Sequence, residues 1–183
     1  MAASTATVGP AASRRRRSAS GLWHLASSSS CASPGHSSPV NAFYYGQDST
    51  CDYNTGSGHS GTLTSPTITG ITSASTLSFD YYRVVAGYNG SSDQTEVDIV
   101  SSSGTTTVFA LDSSDASTAA WTSSGAISLA SYAGQAIQVV FRFDTIDNIA
   151  NDFTGWFIDD VVVTGDSACD NAAPVVSITS PPN

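Results

Sequence analysis

Oxygen donors dominate the side chains of this sequence that could do chemistry. Its 183 residues hold 14 Asp, a single Glu (Glu96), 33 Ser and 20 Thr, against three His, three Cys and no Lys. Carboxylates and Gly-flanked turns suit a hard cation, since Ca²⁺ takes about 6–8 oxygen ligands from carboxylates, Asn and backbone carbonyls. Asp52-Tyr53-Asn54-Thr55-Gly56 has the spacing that opens an EF-hand loop, yet no Glu follows at the twelfth position and no helical pattern flanks it. That excludes the motif. Asp147-Asn148-Ile149-Ala150-Asn151-Asp152 is a second oxygen-rich stretch, equally readable as a solvated hairpin loop. Zinc is a poor match: there is no C-x₂-C pair, and His24, His36 and His59 are scattered over a Ser/Gly-rich region.

Catalytic patterns are weaker still. Gly56-Ser57-Gly58-His59-Ser60-Gly61 matches G-x-G-x-x-G, but a dinucleotide site needs a strand before the glycines and a helix after them. Thr62-Leu63-Thr64-Ser65-Pro66 follows instead and reads as a strand ending in proline. Ser, His and Asp are so abundant that their co-occurrence carries no information, and the nucleophile elbow G-x-S-x-G is absent. With one glutamate there is no H-E-x-x-H centre. Nothing marks one of the aspartates as the raised-pKa acid of a glycosidase. The sequence therefore reads as non-enzymatic. Ligand contact falls to aromatics near loops, which offer planar faces beside Asp and Asn: Trp121, Tyr88 and Phe153. Trp156 sits within a strand pattern and reads as core, as do Tyr44, Tyr45, Tyr81 and Tyr82.

The elements that position these groups are strands. Lys, Glu, Leu and Met are scarce, which argues against helices, while Ser, Thr, Val, Ile, Tyr and Gly favour short strands joined by turns. Strands are predicted near 41–46, 61–69, 76–86, 94–101, 105–110, 126–130, 136–144 and 154–164. Leu77, Phe79 and Tyr81 share one face, and Ile137, Val139, Phe141 and Phe143 alternate with polar neighbours. Tyr88-Asn89-Gly90, Ser103-Gly104 and Ala133-Gly134-Gln135 supply turns. About eight short strands at this spacing predict an all-β fold, an antiparallel β-sandwich or jelly roll.

The ends read differently. Residues 1–20 lack apolar periodicity and suggest a structureless tail. Its Arg14–Arg17 run precedes too short an apolar stretch for an export signal. Residues 166–173 form a polar linker, and Pro174-Val175-Val176-Ser177-Ile178 opens like the first strand of a following module, similar to bacterial immunoglobulin-like repeats. The formal charge is −9, but removing the arginine run leaves Arg83 and Arg142 against 15 carboxylates, a formal −13. So acidic a body disfavours nucleic acid and anionic membranes as partners. No stretch approaches the roughly 20 apolar residues of a membrane span.

Two segments carry a family resemblance. Ser131-Tyr132-Ala133-Gly134-Gln135-Ala136-Ile137-Gln138-Val139-Val140-Phe141-Arg142-Phe143-Asp144, followed by Gly155-Trp156-Phe157-Ile158-Asp159-Asp160-Val161-Val162-Val163, resembles the last two strands of MAM-like jelly-roll domains of secreted bacterial proteins. Such domains occur in accessory regions of immune inhibitor A-type peptidases and in surface-anchored proteins. Gly21-Leu22-Trp23-His24, Phe43-Tyr44-Tyr45-Gly46, Gly61–Pro66 and Leu77–Tyr82 resemble the family's opening, in order, so that residues 21–165 are covered. The resemblance implies a galactose-binding-like sandwich outside the cell. In that setting Cys31 and Cys51 are the natural disulfide, with Cys169 left over. It also implies a calcium ion tying the N-terminal region to the final strand, with Asp159 as ligand and Asp48 and Asp52 as its partners. The alternative for Asp159 is a buried carboxylate bonded to loop N–H groups, Arg142 or Arg83. The expected function is a calcium-stabilised, non-catalytic extracellular adhesion or assembly module of a larger secreted or cell-surface protein. Its partners would be glycans, other cell-surface proteins or further copies of itself. A carbohydrate-binding accessory module of a secreted hydrolase or peptidase is the alternative.

Overall fold

The computed structural model describes residues 4–7, 18–27, 31, 37–38, 41–87, 92–118 and 120–165. Tyr88, the Arg14–Arg17 run, His36, Cys169, the 166–173 linker and the 174–183 segment lie outside the described residues. Twelve strands are seen among the described residues: β1 (Ser4–Thr7), β2 (Ser18–Ala19), β3 (Trp23–Ser27), β4 (Asn41–Tyr45), β5 (Ser60–Thr64), β6 (Thr76–Val84), β7 (Gln94–Ser101), β8 (Gly104–Leu111), β9 (Thr122–Ser123), β10 (Ile127–Ser128), β11 (Gln138–Asp144) and β12 (Gly155–Gly165). One 3₁₀ turn, Ala130–Tyr132, takes the end of the strand predicted at 126–130.

All pairings are antiparallel and form two sheets. The first runs β10-β6-β12-β4-β3, with β9 also lying along β6 and β1 along β12. The second runs β2-β5-β11-β7-β8. Together they make the expected all-β sandwich. The tail contributes more than its composition suggests. Ser4–Thr7 pairs with Val162–Gly165, and Ser18–Ala19 pairs with Leu63–Thr64. Neither pairing needs side-chain periodicity, because a strand added at an edge is held by its backbone.

Alternation places the core. Leu77, Phe79 and Tyr81 of β6 face Val97 and Ile99 of β7 and Val139, Phe141 and Phe143 of β11 across the interior. Trp156 is fully buried among them, its ring 5.4 Å from Trp23 and 6.0 Å from Phe141. In β12 the strict period of two fails. A bulge interrupts the β6–β12 register between Asp159 and Val162, and Asp160 takes φ +47°. The inward set therefore switches from Trp156 and Ile158 to Val161 and Val163, as an extra bulged residue requires. At the start of β12, Gly155 adopts φ +94°, and a Cβ there would lie 2.3 Å from the Tyr45 carbonyl oxygen. Only glycine lets β12 approach β4 at this point.

Candidate functional site

The outer face of the first sheet carries a second, smaller core. Cross-strand register puts His24, Tyr44, Phe157 and Tyr82 in one row over β3, β4, β12 and β6. Tyr44 stacks on Phe157 with centroids 4.0 Å apart, and His24 meets the edge of Tyr44 at 5.4 Å. Trp121 closes the row, 6.4 Å from both Tyr82 and Phe157. Ala26 and Ala42 provide a small-residue floor, over which the Cys31–Cys51 disulfide packs. The Tyr44 hydroxyl donates to the Thr154 carbonyl at 2.7 Å. Burial first, then the nearby charges of Asp52 and Asp48, push its pKa well above the ordinary phenol range. Tyr44 is accordingly a neutral donor tying β4 to the loop before β12, with no nucleophilic character at physiological pH.

Beside this row lies the most heavily bonded carboxylate described. Asp159 is buried and accepts from the Ser37 N–H at 3.0 Å, the Ser38 N–H at 2.9 Å and the Asp160 N–H at 2.8 Å. The Ser38 hydroxyl adds a contact at 3.2 Å. Its cross-strand neighbour Asp80 accepts from the Ser37 hydroxyl at 2.7 Å. Two carboxylates on β12 and β6 thus hold the backbone at Ser37–Ser38 against the sheet, and the disulfide holds Cys31 six residues earlier. The disulfide joins the two predicted cysteines, with Cα atoms 5.5 Å apart. Both sit in the left-handed region, at φ +62° for Cys31 and +59° for Cys51.

The three carboxylates expected to share a calcium ion do not meet. Ile158 pairs with Phe43 and Trp156 with Tyr45. Asp159 therefore lies toward the Asn41 end of β4, whereas Asp48 and Asp52 follow its other end. Asp48 accepts from or pairs with His24 Nε2 at 3.0 Å. Asp52 shapes its own turn, accepting from Thr50 Oγ1 at 2.9 Å and the Asn54 N–H at 3.0 Å. Among the described residues no group of three His, Cys, Asp or Glu side chains converges as a metal site would require. The donors around Asp159 are N–H and O–H groups, which compete for the lone pairs a cation needs. The loop N–H contacts that the second reading of this residue requires are present. Arg142 is engaged elsewhere: it pairs with Glu96 and lies 3.8 Å from Asp98 on the outer face of the second sheet.

The aromatic ligand candidates separate in the same way. Trp121 is half-buried in the small outer core, Phe153 is exposed in the loop before β12, and Tyr88 lies outside the described residues. Trp156 is interior.

A further polar cluster, at one end of the sandwich, escaped the sequence reading. Arg83 continues the inward parity of Leu77, Phe79 and Tyr81 and is fully buried. Its guanidinium donates to the backbone carbonyls of Asp93 at 3.1 Å, Asp112 at 2.6 Å and Asp115 at 3.4 Å. Tyr53 donates to Asp93 Oδ2 at 2.9 Å. Asp93 is itself buried, and desolvation pushes its pKa up to about 6, against the lowering effects of the Tyr53 hydrogen bond and the Arg83 charge. Burial likewise lowers the Arg83 pKa. The signal was present in sequence as an arginine on the apolar parity of β6, which demands partners. His59 is spent similarly: Tyr45 OH lies 2.7 Å from its Nδ1, and the Tyr53 carbonyl 2.7 Å from its Nε2.

No protein-family model matches the chain, and no curated protein matches it in sequence. Among solved structures it is similar to the K2 cleaved adhesin domain of Lys-gingipain. The two share 16% identity over 89% of this chain and 97% of that one, with a TM-score of 0.53. At that identity the likeness is one of fold, a β-sandwich over nearly the whole of both chains. No family model supports the narrower MAM-like, galactose-binding-like assignment.

Proposed function

We propose that this chain is a non-catalytic adhesion or assembly module of a larger secreted or cell-surface protein. The observation that carries the reading is the fold shared with an adhesin domain along almost the full length of both chains. The disulfide supports an oxidising, extracellular setting. No described helix is long and apolar enough to cross a membrane. The polar clusters support a structural rather than a chemical role. Asp159 and Asp80 hold the backbone near Ser37, Arg83 ties three carbonyls, and His24 and His59 are bonded to Asp48, Tyr45 and backbone carbonyls rather than to a serine. In this reading residues 21–165, with the paired strands β1 and β2 ahead of them, are the module, and 166–183 lead into a following immunoglobulin-like one.

The test is binding by the purified chain to immobilised extracellular proteins and to a glycan array, beside a screen of chromogenic ester, glycoside and peptide substrates. Saturable protein binding without turnover is expected. Glycan binding lost on Trp121→Ala would favour the carbohydrate-binding alternative, and turnover of any substrate class would overturn the non-catalytic reading.

A further inference from the structure

The sandwich has one long strand edge that nothing described covers. The edge of β6 is lined by β9 and β10, and that of β12 by β4 and β1. β3 ends the first sheet and pairs with β4 alone, but it is only five residues long. β8 ends the second sheet and pairs with β7 alone. It is eight residues long, and its first four are exposed. Alternate residues of a strand turn their backbone groups to one side, so β8 presents roughly four N–H and four C=O groups away from β7.

Natural edges are usually protected by Lys, Pro, inward charges, β-bulges or short length. Gly104-Thr105-Thr106-Thr107-Val108-Phe109-Ala110-Leu111 has no charge and no proline, and it is rich in β-branched and aromatic residues. Its single irregularity is a bulge at Val108, between the pairs Asp98–Thr107 and Val97–Phe109. Phe109 anchors the strand by packing on Phe79 at 5.2 Å and Tyr81 at 5.5 Å, so the edge is held in extended form before any partner arrives.

We infer that β8 is a self-association edge, pairing antiparallel with β8 of a second copy so that two five-stranded sheets become one continuous sheet. This rests on the assembly reading above and names its surface. Charge selects both partner and direction. The body is strongly acidic, but β8 itself is uncharged, so two copies meet without like charges at the contact. Asp112 and Asp115 follow the C-terminal end of β8, and the Ser102–Ser103 turn precedes its start. Antiparallel pairing about a two-fold axis sends the acidic ends of the two copies to opposite ends of the interface, whereas parallel pairing stacks them. The remaining long-range repulsion is screened within about 8 Å at physiological salt. Salt therefore strengthens the association, opposite to its effect on a charge-driven complex.

The test is sedimentation of the full chain over a concentration series at low and high salt, with hydrogen exchange followed on the β8 amides. The mass is expected to rise from 18.7 kDa toward twice that value, more readily in high salt, with β8 amides gaining protection as it does. Thr106→Asp, on the exposed edge, should abolish the rise, while Thr67→Asp, an exposed site away from β8, adds the same charge and should leave it intact. A chain that stays monomeric to about 1 mM, or one that associates without protecting β8, overturns the inference. Those wild-type measurements decide the matter even if Thr106→Asp fails to fold. A monomer that still binds surface proteins sinks this edge and leaves the adhesion reading standing. A strand from another protein that protects β8 while the chain alone remains monomeric also refutes the homotypic pairing.

Discussion

Replacing Asp159 with alanine separates a hydrogen-bonded carboxylate from a calcium ligand. The side chain is buried and satisfies three backbone N–H groups, those of Ser37, Ser38 and Asp160, plus the Ser38 hydroxyl. A hydrogen bond to a charged group contributes about 1.5–3 kcal/mol when well buried, and an ordinary one about 1 kcal/mol. Ser37 is exposed while Ser38 and Asp160 are half-buried, so water recovers part of the loss. The expected cost is about 3–4 kcal/mol. With a urea m-value near 2 kcal/mol/M, the unfolding midpoint falls by roughly 1.5–2 M at unchanged m. Asp159→Asn keeps the shape but turns an amino group toward N–H donors, and should cost about 2 kcal/mol. The assay is equilibrium urea unfolding followed by tryptophan fluorescence, with and without EDTA. Because Asp48 and Asp52 lie at the other end of β4, chelation is expected to leave the wild-type midpoint unchanged. A loss below about 1 kcal/mol for Asp159→Ala would refute the hydrogen-bond reasoning. An EDTA-induced fall matching that of the variant would restore the calcium reading.

Two further outcomes follow from the same geometry. Asp93, with its pKa raised by burial to about 6, favours the folded state most when protonated. Its contribution is present in full below the ordinary carboxylate range and is lost as pH rises through 6. Lowering the pH from 7 to 5 should therefore add on the order of 1–2 kcal/mol to its share of stability, seen as an Asp93→Asn variant whose unfolding midpoint varies less over that interval; equal slopes would discard the assignment. Joint replacement of Cys31 and Cys51 by serine removes a closure across 20 residues, worth about 3 kcal/mol in the chain-entropy account. Relief of two left-handed backbones offsets part of this, so a melting temperature lower by about 4–8 °C is expected. No change on replacement would mean that the Ser37–Ser38 contacts alone hold this part of the chain.

Much of the fold was legible because its strands obey a period of two. In β6 and β11 the alternation predicts the buried set correctly, and Trp156 is where an interior aromatic should be. Other elements left no periodic trace. β1 and β2 are short and attach through backbone groups alone. β3 is five residues long with His24 near its start, a polar residue that is apolar-facing only because Tyr44 lies beside it. The bulge at Asp160 inverts the parity of β12 halfway along, and a reading that extends the alternation past it misassigns the inward valines.

The candidate site shows the same division. Residue type identified the interior tryptophan and the acidic character of the chain, and the extracellular setting implied by the resemblance paired Cys31 with Cys51. Sequence alone could not decide what the carboxylates face. Asp48, Asp52 and Asp159 look alike as oxygen donors, and their environments differ because β4 runs between them and sends them to opposite ends of one sheet. Arg83 and Asp93 carry opposite charges ten residues apart in sequence, yet their burial together follows from β6 and the start of β7 meeting at one end of the core. Composition and periodicity determine which residues leave water, since transfer free energy is local to each side chain. Which polar groups then find each other depends on strand order and register, and these are settled only when two sheets close on a single core.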